Sequence, residues 1–303
     1  MNGKVQVLSS FWLKIIGFIT MTFDHIGTFI GMFYASGSTI GQVGMAFRCI
    51  GRLALPIFIF LLVQGLRNSK DPEKYLFRIF IMWAVFFVVG LGVFIASACG
   101  ASIEVLDSLG GSIPANAFND LLYVGLFLYL LNHKNKKLRA LCAFPLILIG
   151  CSYAFDIVNA YGNTSLYMYF PEFIRADYSV FALLLGIGFY YTKPLAAKMA
   201  DKVFLYETTD KEVAQRRQGL TNMLNACVVV FATAFMYGLS FAYGSYDPLR
   251  FSSIGSFAVL SIIFIMLYNG ERGYDSKWFR WVSYLYYPVH IIIIGLIFVL
   301  LSL

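Results

Sequence analysis

Long apolar runs follow one another from the first dozen residues of the chain to the last, separated by short polar stretches. A helix needs about 20 apolar residues to cross a hydrocarbon layer about 30 Å thick. Of the 303 residues, 59% are hydrophobic and 13% are charged, more apolar surface than a soluble domain of this length could hide. The pattern predicts an all-α, polytopic integral membrane helical bundle. Nine spans are read, at roughly 12–34, 46–66, 75–97, 115–131, 139–158, 177–193, 221–243, 252–269 and 279–301. The first run carries Asp24 and His25 and is not followed by a small-residue cleavage site, so it is read as a span and not as a cleaved signal peptide.

The connections alternate in charge. One side holds the N-terminus and then Arg67, Lys70, Lys74 and Arg78; Lys134, Lys136, Lys137 and Arg139; Lys193 to Arg217; and Arg272, Lys277 and Arg280. The other side holds Arg175 and Arg250 with Glu104, Asp107, Glu172 and Asp247. Lysine and arginine bias sets orientation, so the basic side, including the N-terminus, is expected in the cytoplasm and the C-terminus outside. The net charge of +7 is thereby assigned to membrane topology, and no nucleic acid partner is expected. Within the long cytoplasmic loop 194–219, Leu195, Met199, Val203 and Tyr206 recur at helical spacing among lysines, and an interfacial amphipathic helix is expected there. Otherwise the chain reads as a single transmembrane domain over 1–303. Asn163-Thr164-Ser165 matches a glycosylation acceptor. The five cysteines lie in or beside apolar runs without metal-ligand spacing, and no metal is expected.

Ionisable groups inside spans are costly and usually mark sites. His25 lies 13 residues past Trp12, which puts it about 20 Å from the cytoplasmic edge and about 10 Å from the outer one. The next span descends from the outer edge, placing Arg48 about 7 Å and Arg52 about 13 Å deep. His290 falls about 12 Å below the outer edge and Asp120 about 8 Å, with Asn116, Asn119 and Asp156 near that level. A shared level predicts a polar cavity open to the outside. Adjacent residues on a helix point about 100° apart, so Asp24 is poorly placed to orient His25. Arg48 and Arg52 share one face, and Asp24 is level with Arg52, so Asp24–Arg52 is the expected salt bridge. Gly27 and Gly31 form a small-xxx-small pair suited to close helix approach.

The residues LKIIGFITMTFDHIG (13–27), FRCIGRLALPIFIFLLVQG (47–65), KYLFR (74–78) and YYPVHIIIIG (286–295) resemble the TraX family, over about a quarter of the chain. The family pattern is an Asp-His in the first span, then Arg-x-x-Gly-Arg-x-x-x-Pro in the second. Gln64 stands where the family usually has Glu, and Asn68-Ser69 where it often has His-Thr. The resemblance implies a bacterial cytoplasmic-membrane acetyltransferase, of a wider set of integral-membrane acyltransferases. These move acetyl from cytoplasmic acetyl-CoA to an outward-facing acceptor, best known as the N-terminus of conjugative pilin. It also implies His25 as the catalytic residue.

The chemistry of these residues fits that implication. A histidine near neutrality can take a proton from an amine or hydroxyl as it attacks a thioester, or carry the acetyl group itself. A fixed guanidinium, Arg48 or Arg52, can stabilise the oxyanion, and Asp24 can position the arginine. His290, Asn119 and Asp120 are candidate acceptor-binding residues. Arg67, Lys70, Lys74 and Arg78 are candidates for the phosphates of coenzyme A. Membrane lipid, acetyl-CoA and an acceptor protein or glycan at the outer face are the expected partners. A proton-coupled transporter or flippase would use the same types of residue, although the chain has no paired halves.

Overall fold

The computed structural model describes residues 6–100, 116–162, 169–203, 210–244, 247, 249 and 251–302. Glu104, Asp107, the acceptor triplet 163–165, Tyr206 and Arg250 lie outside these residues. Among the described residues the chain is helical, with isolated bridges Leu8–Tyr268 and Asn116–Ala176 and no strand. Seven stretches are long and apolar enough to cross a membrane: Ser10–Phe33, Thr39–Asn68, Pro72–Ser97, Lys136–Ala160, Ser179–Ala200, Val213–Tyr243 and Lys277–Phe298. Two shorter apolar helices, Ala117–Leu131 and Gly255–Met266, fill the remaining two places in the expected order. The chain is a polytopic helical bundle. It divides into two compact units, Met1–Leu61 with Gly188–Ala242 and Arg250–Leu303, and Leu62–Ile187 with Tyr243–Leu249.

In the first unit, α1 (Ser10–Phe33) crosses α2 (Thr39–Gly51) at glycines. A Cβ on Gly27 would run into the carbonyl oxygen of Gly44 and come within 2.7 Å of Arg48 Cγ. One on Gly44 would come within 2.6 Å of Ile30 Cγ2, and one on Gly51 within 2.6 Å of Asp24 Cα. Nothing lies within 4 Å of a Cβ on Gly31. The close approach therefore uses Gly27 with Gly44 and Gly51, and not the Gly27–Gly31 pair expected from spacing.

The second span is also not one helix. It breaks at Arg52 and Leu53 and resumes as α3 (Ala54–Asn68). Pro56 supplies the cause: it has no N–H for the carbonyl four residues earlier, that of Arg52. The last helix of the unit, Lys277–Ser302, carries Pro288 internally and packs on α1 through stacked rings. Phe18 and Tyr286 lie 4.5 Å apart by ring centroids, and Phe29 and Phe298 5.4 Å.

In the second unit, α4 (Pro72–Ala98) starts with Asp71 accepting from the Lys74 N–H and with Pro72 at the first helical position. Its Phe77, Val85, Val88 and Val89 stay exposed, as lipid-facing side chains would. Helix α5 (Ala117–Leu131) begins at Asn116, whose side chain accepts from the Phe118 N–H at 3.0 Å. After the short α6 (Lys136–Ala140) comes α7 (Ala143–Ala160), which packs on α5.

The amphipathic segment expected near 194–219 includes 204–209, which lie outside the described residues. Helix α8 (Ser179–Val203) runs on through Pro194, and α9 (Asp210–Tyr243) starts before the expected segment ends. Proline can bend a helix without ending it. Here Ala196 and Ala200 stay buried while Leu195 and Met199, two residues of the expected apolar stripe, stay exposed.

Candidate functional site

Two polar clusters form, one in each unit. In the first, the crossing of α1 and α2 brings Asp24 to Arg52, with Arg52 Nη2 donating to Asp24 Oδ1 at 2.8 Å. The two side chains are 16% and 11% exposed, so the pair is held mostly out of solvent. This is the partner expected from depth and helical phase. Arg48, one turn earlier on the same face of α2, flanks Gly27. Thr20 and Thr28, one turn to either side of Asp24 on the same face of α1, satisfy their hydroxyls locally: Thr20 donates to Ile16 O and Gly17 O, and Thr28 to Asp24 O.

Relative to Asp24, His25 is turned toward the last helix, labelled α11 with Ile262–Met266 as α10. Its ring lies 5.0 Å from that of His290 by centroids and 6.0 Å from that of Tyr287. His290 is 6% exposed, and the ring of Tyr286 stacks on it at 5.0 Å with 15° between planes. Thr22 donates to Phe18 O at 2.9 Å, so its single hydroxyl hydrogen is used. The 2.7 Å contact between Thr22 and Tyr286 is then a donation from the tyrosine hydroxyl. Tyr286, Tyr287 and Thr22 were not singled out from sequence. The i,i+4 spacing of Tyr286 and His290 was the available signal for the first.

The second cluster surrounds the segment 172–179. Asp120 is fully buried, and its two oxygens accept from the backbone N–H groups of Asp177, Tyr178 and Ser179 at 2.8–3.2 Å. It thus sits at the N-terminus of α8, where unsatisfied backbone donors meet an acceptor and the helix dipole favours negative charge. Asn119 Nδ2 donates to the carbonyls of Phe173 and Arg175, and Tyr123 donates to Ile174 O at 2.7 Å. Arg175, assigned from sequence to an outer loop, is 2% exposed and donates to Asp156 at 2.8 Å, with Glu172 at 3.4 Å. Asn119 and Asp120, expected to meet an acceptor, are thus engaged in bracing this segment. His25, His290 and the two arginines form one group within their own unit, and Asn119, Asp120 and Asp156 another within theirs.

The basic residues at the end of α3 and the start of α4 are Arg67, Lys70, Lys74 and Arg78. Lys74 pairs with Asp71 at 2.8 Å on the surface, and this lysine holds the Asp71 carboxyl below its ordinary range. Such an exposed pair contributes little stability. Among the described residues, no group of three or more His, Cys, Asp or Glu side chains could hold a metal ion.

A family model described as TraX protein matches residues 9–298. A probable fimbrial assembly protein FimC, serogroup H1, of Dichelobacter nodosus is 38% identical over 71 residues. That match covers 23% of this chain and 27% of the relative, so the chain spans about a quarter of the length of the relative it matches. No solved structure matches.

Proposed function

This chain belongs to the TraX family, and we propose that it is an acetyltransferase of the bacterial cytoplasmic membrane, moving acetyl from acetyl-CoA to an amine or hydroxyl at the outer face. The observation that carries this reading is the buried Asp24–Arg52 pair beside His25. It holds a guanidinium in a water-poor place next to a residue able to accept a proton. The acceptor N–H or O–H attacks the thioester carbonyl and its proton passes to His25. Arg48 or Arg52 stabilises the oxyanion. The carbon–sulfur bond then breaks, and the leaving sulfur takes the proton back from His25. The same residue types also permit a transient acetyl-His25. Asp24 positions Arg52 and does not touch the reacting atoms. Arg67, Lys70, Lys74 and Arg78 are assigned to the coenzyme A phosphates, which a cluster of cations would recognise.

The fimbrial relative, like the family's best-known activity, favours a pilin N-terminus as acceptor, and an envelope glycan or lipid hydroxyl fits the same chemistry. A second reading, a proton-coupled carrier, is favoured by one observation: the second span is interrupted at Arg52–Leu53, beside ionisable groups, as in many transporters. Proteoliposomes decide between them. With labelled acetyl-CoA on the cytoplasmic face only, the label should appear on an acceptor outside. Solute uptake that proceeds without acetyl-CoA, and no acetyl transfer, would give the protein to the carriers.

A further inference from the structure

His25 lacks an orienting partner on its own helix. Its neighbour Asp24 points about 100° away and gives Oδ1 to Arg52. A proton-accepting histidine normally has its second nitrogen held by an acceptor, which fixes the tautomer and supports the charge that forms. Among the described residues, Arg52 at the end of α2 and Tyr287 and His290 from α11 stand near His25. Arginine has no acceptor atom, Tyr287 offers a hydroxyl oxygen and His290 a ring nitrogen, and the His290 ring is the nearer, at 5.0 Å against 6.0 Å between centroids.

The tautomer of His290 follows from its hydrogen bond. Nδ1 lies 2.8 Å from the backbone carbonyl of Tyr286, and a carbonyl only accepts, so Nδ1 carries the hydrogen. The lone pair is then on Nε2. That atom is buried and has no hydrogen-bond partner among the described residues. A buried polar atom left unpaired costs free energy and calls for a reason. The ring is also fixed in place: Tyr286 stacks on one face, and its hydroxyl, tied to Thr22, locks α11 to α1 at this level. The His25 ring lies 5.0 Å away by centroids, tilted by 54°. Rings with centroids this close can put one nitrogen of each at hydrogen-bond distance when the His25 ring turns, and catalytic hydrogen bonds often tighten only in the loaded enzyme.

We propose that His290 is the positioning residue of His25: its Nε2 accepts from the His25 ring N–H, aims the other His25 nitrogen at the acceptor nucleophile, and shares the charge when His25 takes the proton. The Tyr286 carbonyl, His290 and His25 then form a relay across two helices, in the place where a carboxylate serves in other enzymes. No proton leaves the relay, because the departing sulfur reclaims it from His25. This assignment rests on the acetyltransferase reading, and its two tests separate the two.

The first test needs no turnover. The chain has only three histidines, so protein labelled with 15N-histidine gives ring-nitrogen signals that His290→Gln and His25→Ala assign. His290 should show a protonated Nδ1 and a bare Nε2, and the Nε2 signal should move in His25→Ala. A protonated Nε2 on His290 overturns the proposal whether or not the protein is an enzyme. The second test is kinetic. His290→Leu should lower kcat about tenfold to a hundredfold with KM for acetyl-CoA unchanged, and His290→Gln, whose amide oxygen can accept in place of Nε2, should recover most of it. Wild-type kcat in a folded His290→Leu protein overturns the assignment. If the leucine variant does not fold, a folded His290→Gln protein as inactive as His25→Ala does so instead. A wild-type protein without acetyl-CoA turnover overturns the acetyltransferase reading, and the relay's catalytic role with it.

Discussion

At the residue scale, one charge pair governs whether the site exists. Asp24 and Arg52 meet at 2.8 Å where neither is much exposed, so removing one takes the opposite charge away from the other in a place that solvates it poorly. Asp24→Asn should therefore lower stability by about 3–5 kcal/mol. Thermal unfolding in detergent measures the loss, and Asp24→Asn combined with Arg52→Gln should recover part of it. A stable but inactive Asp24→Asn protein would assign Asp24 to chemistry instead. This pair was legible in the sequence because helical phase and depth both pointed to it. The facing of His25 and His290 was not, since the two stand at opposite ends of the chain and only the packing of the first helix on the last brings them together.

At the scale of elements, the crossing of α1 on α2 and the break between α2 and α3 set the geometry around that pair. A side chain at Gly27 must displace the Gly44 carbonyl or Arg48, whereas Gly31 faces open space. Gly27→Val should thus cost about 1–3 kcal/mol, by analogy with overpacking, and disturb activity, while Gly31→Val should be close to neutral. Equal effects of the two would contradict the crossing. Small-xxx-small spacing marked the right helix, but the partner glycines lie on α2 and could be recognised only from the packing. The helix break escaped notice because 46–66 reads as one apolar run even with Arg48 and Arg52 in it; hydropathy does not register the hydrogen bond that Pro56 removes. Helix α8 makes a similar point at its start. Both oxygens of Asp120 serve three backbone N–H groups there, so Asp120→Asn should destabilise the protein by about 1–3 kcal/mol. An unchanged melting temperature with a raised KM for acceptor would return Asp120 to substrate binding.

At the scale of the whole molecule, the order of the apolar segments was readable from the run of hydropathy along the chain, because lipid demands apolar helices and tolerates few charges; among the described residues seven are long enough to cross a membrane and two are shorter. The division into two compact units was not, since it depends on which helices touch. The alternation of basic connections gives a topology with its own test. A reporter joined near residue 135 should read as cytoplasmic, and one at the C-terminus as external. The opposite pattern would place His25 at the wrong depth for an outward acceptor.

The central claim is that His25 performs acetyl transfer from acetyl-CoA. Purified wild-type protein and His25→Ala protein, matched for thermal stability, should be given labelled acetyl-CoA with an amine acceptor. The wild type is expected to transfer or hydrolyse the acetyl group, and His25→Ala to lose that activity. Full acetyl turnover by His25→Ala would contradict the account.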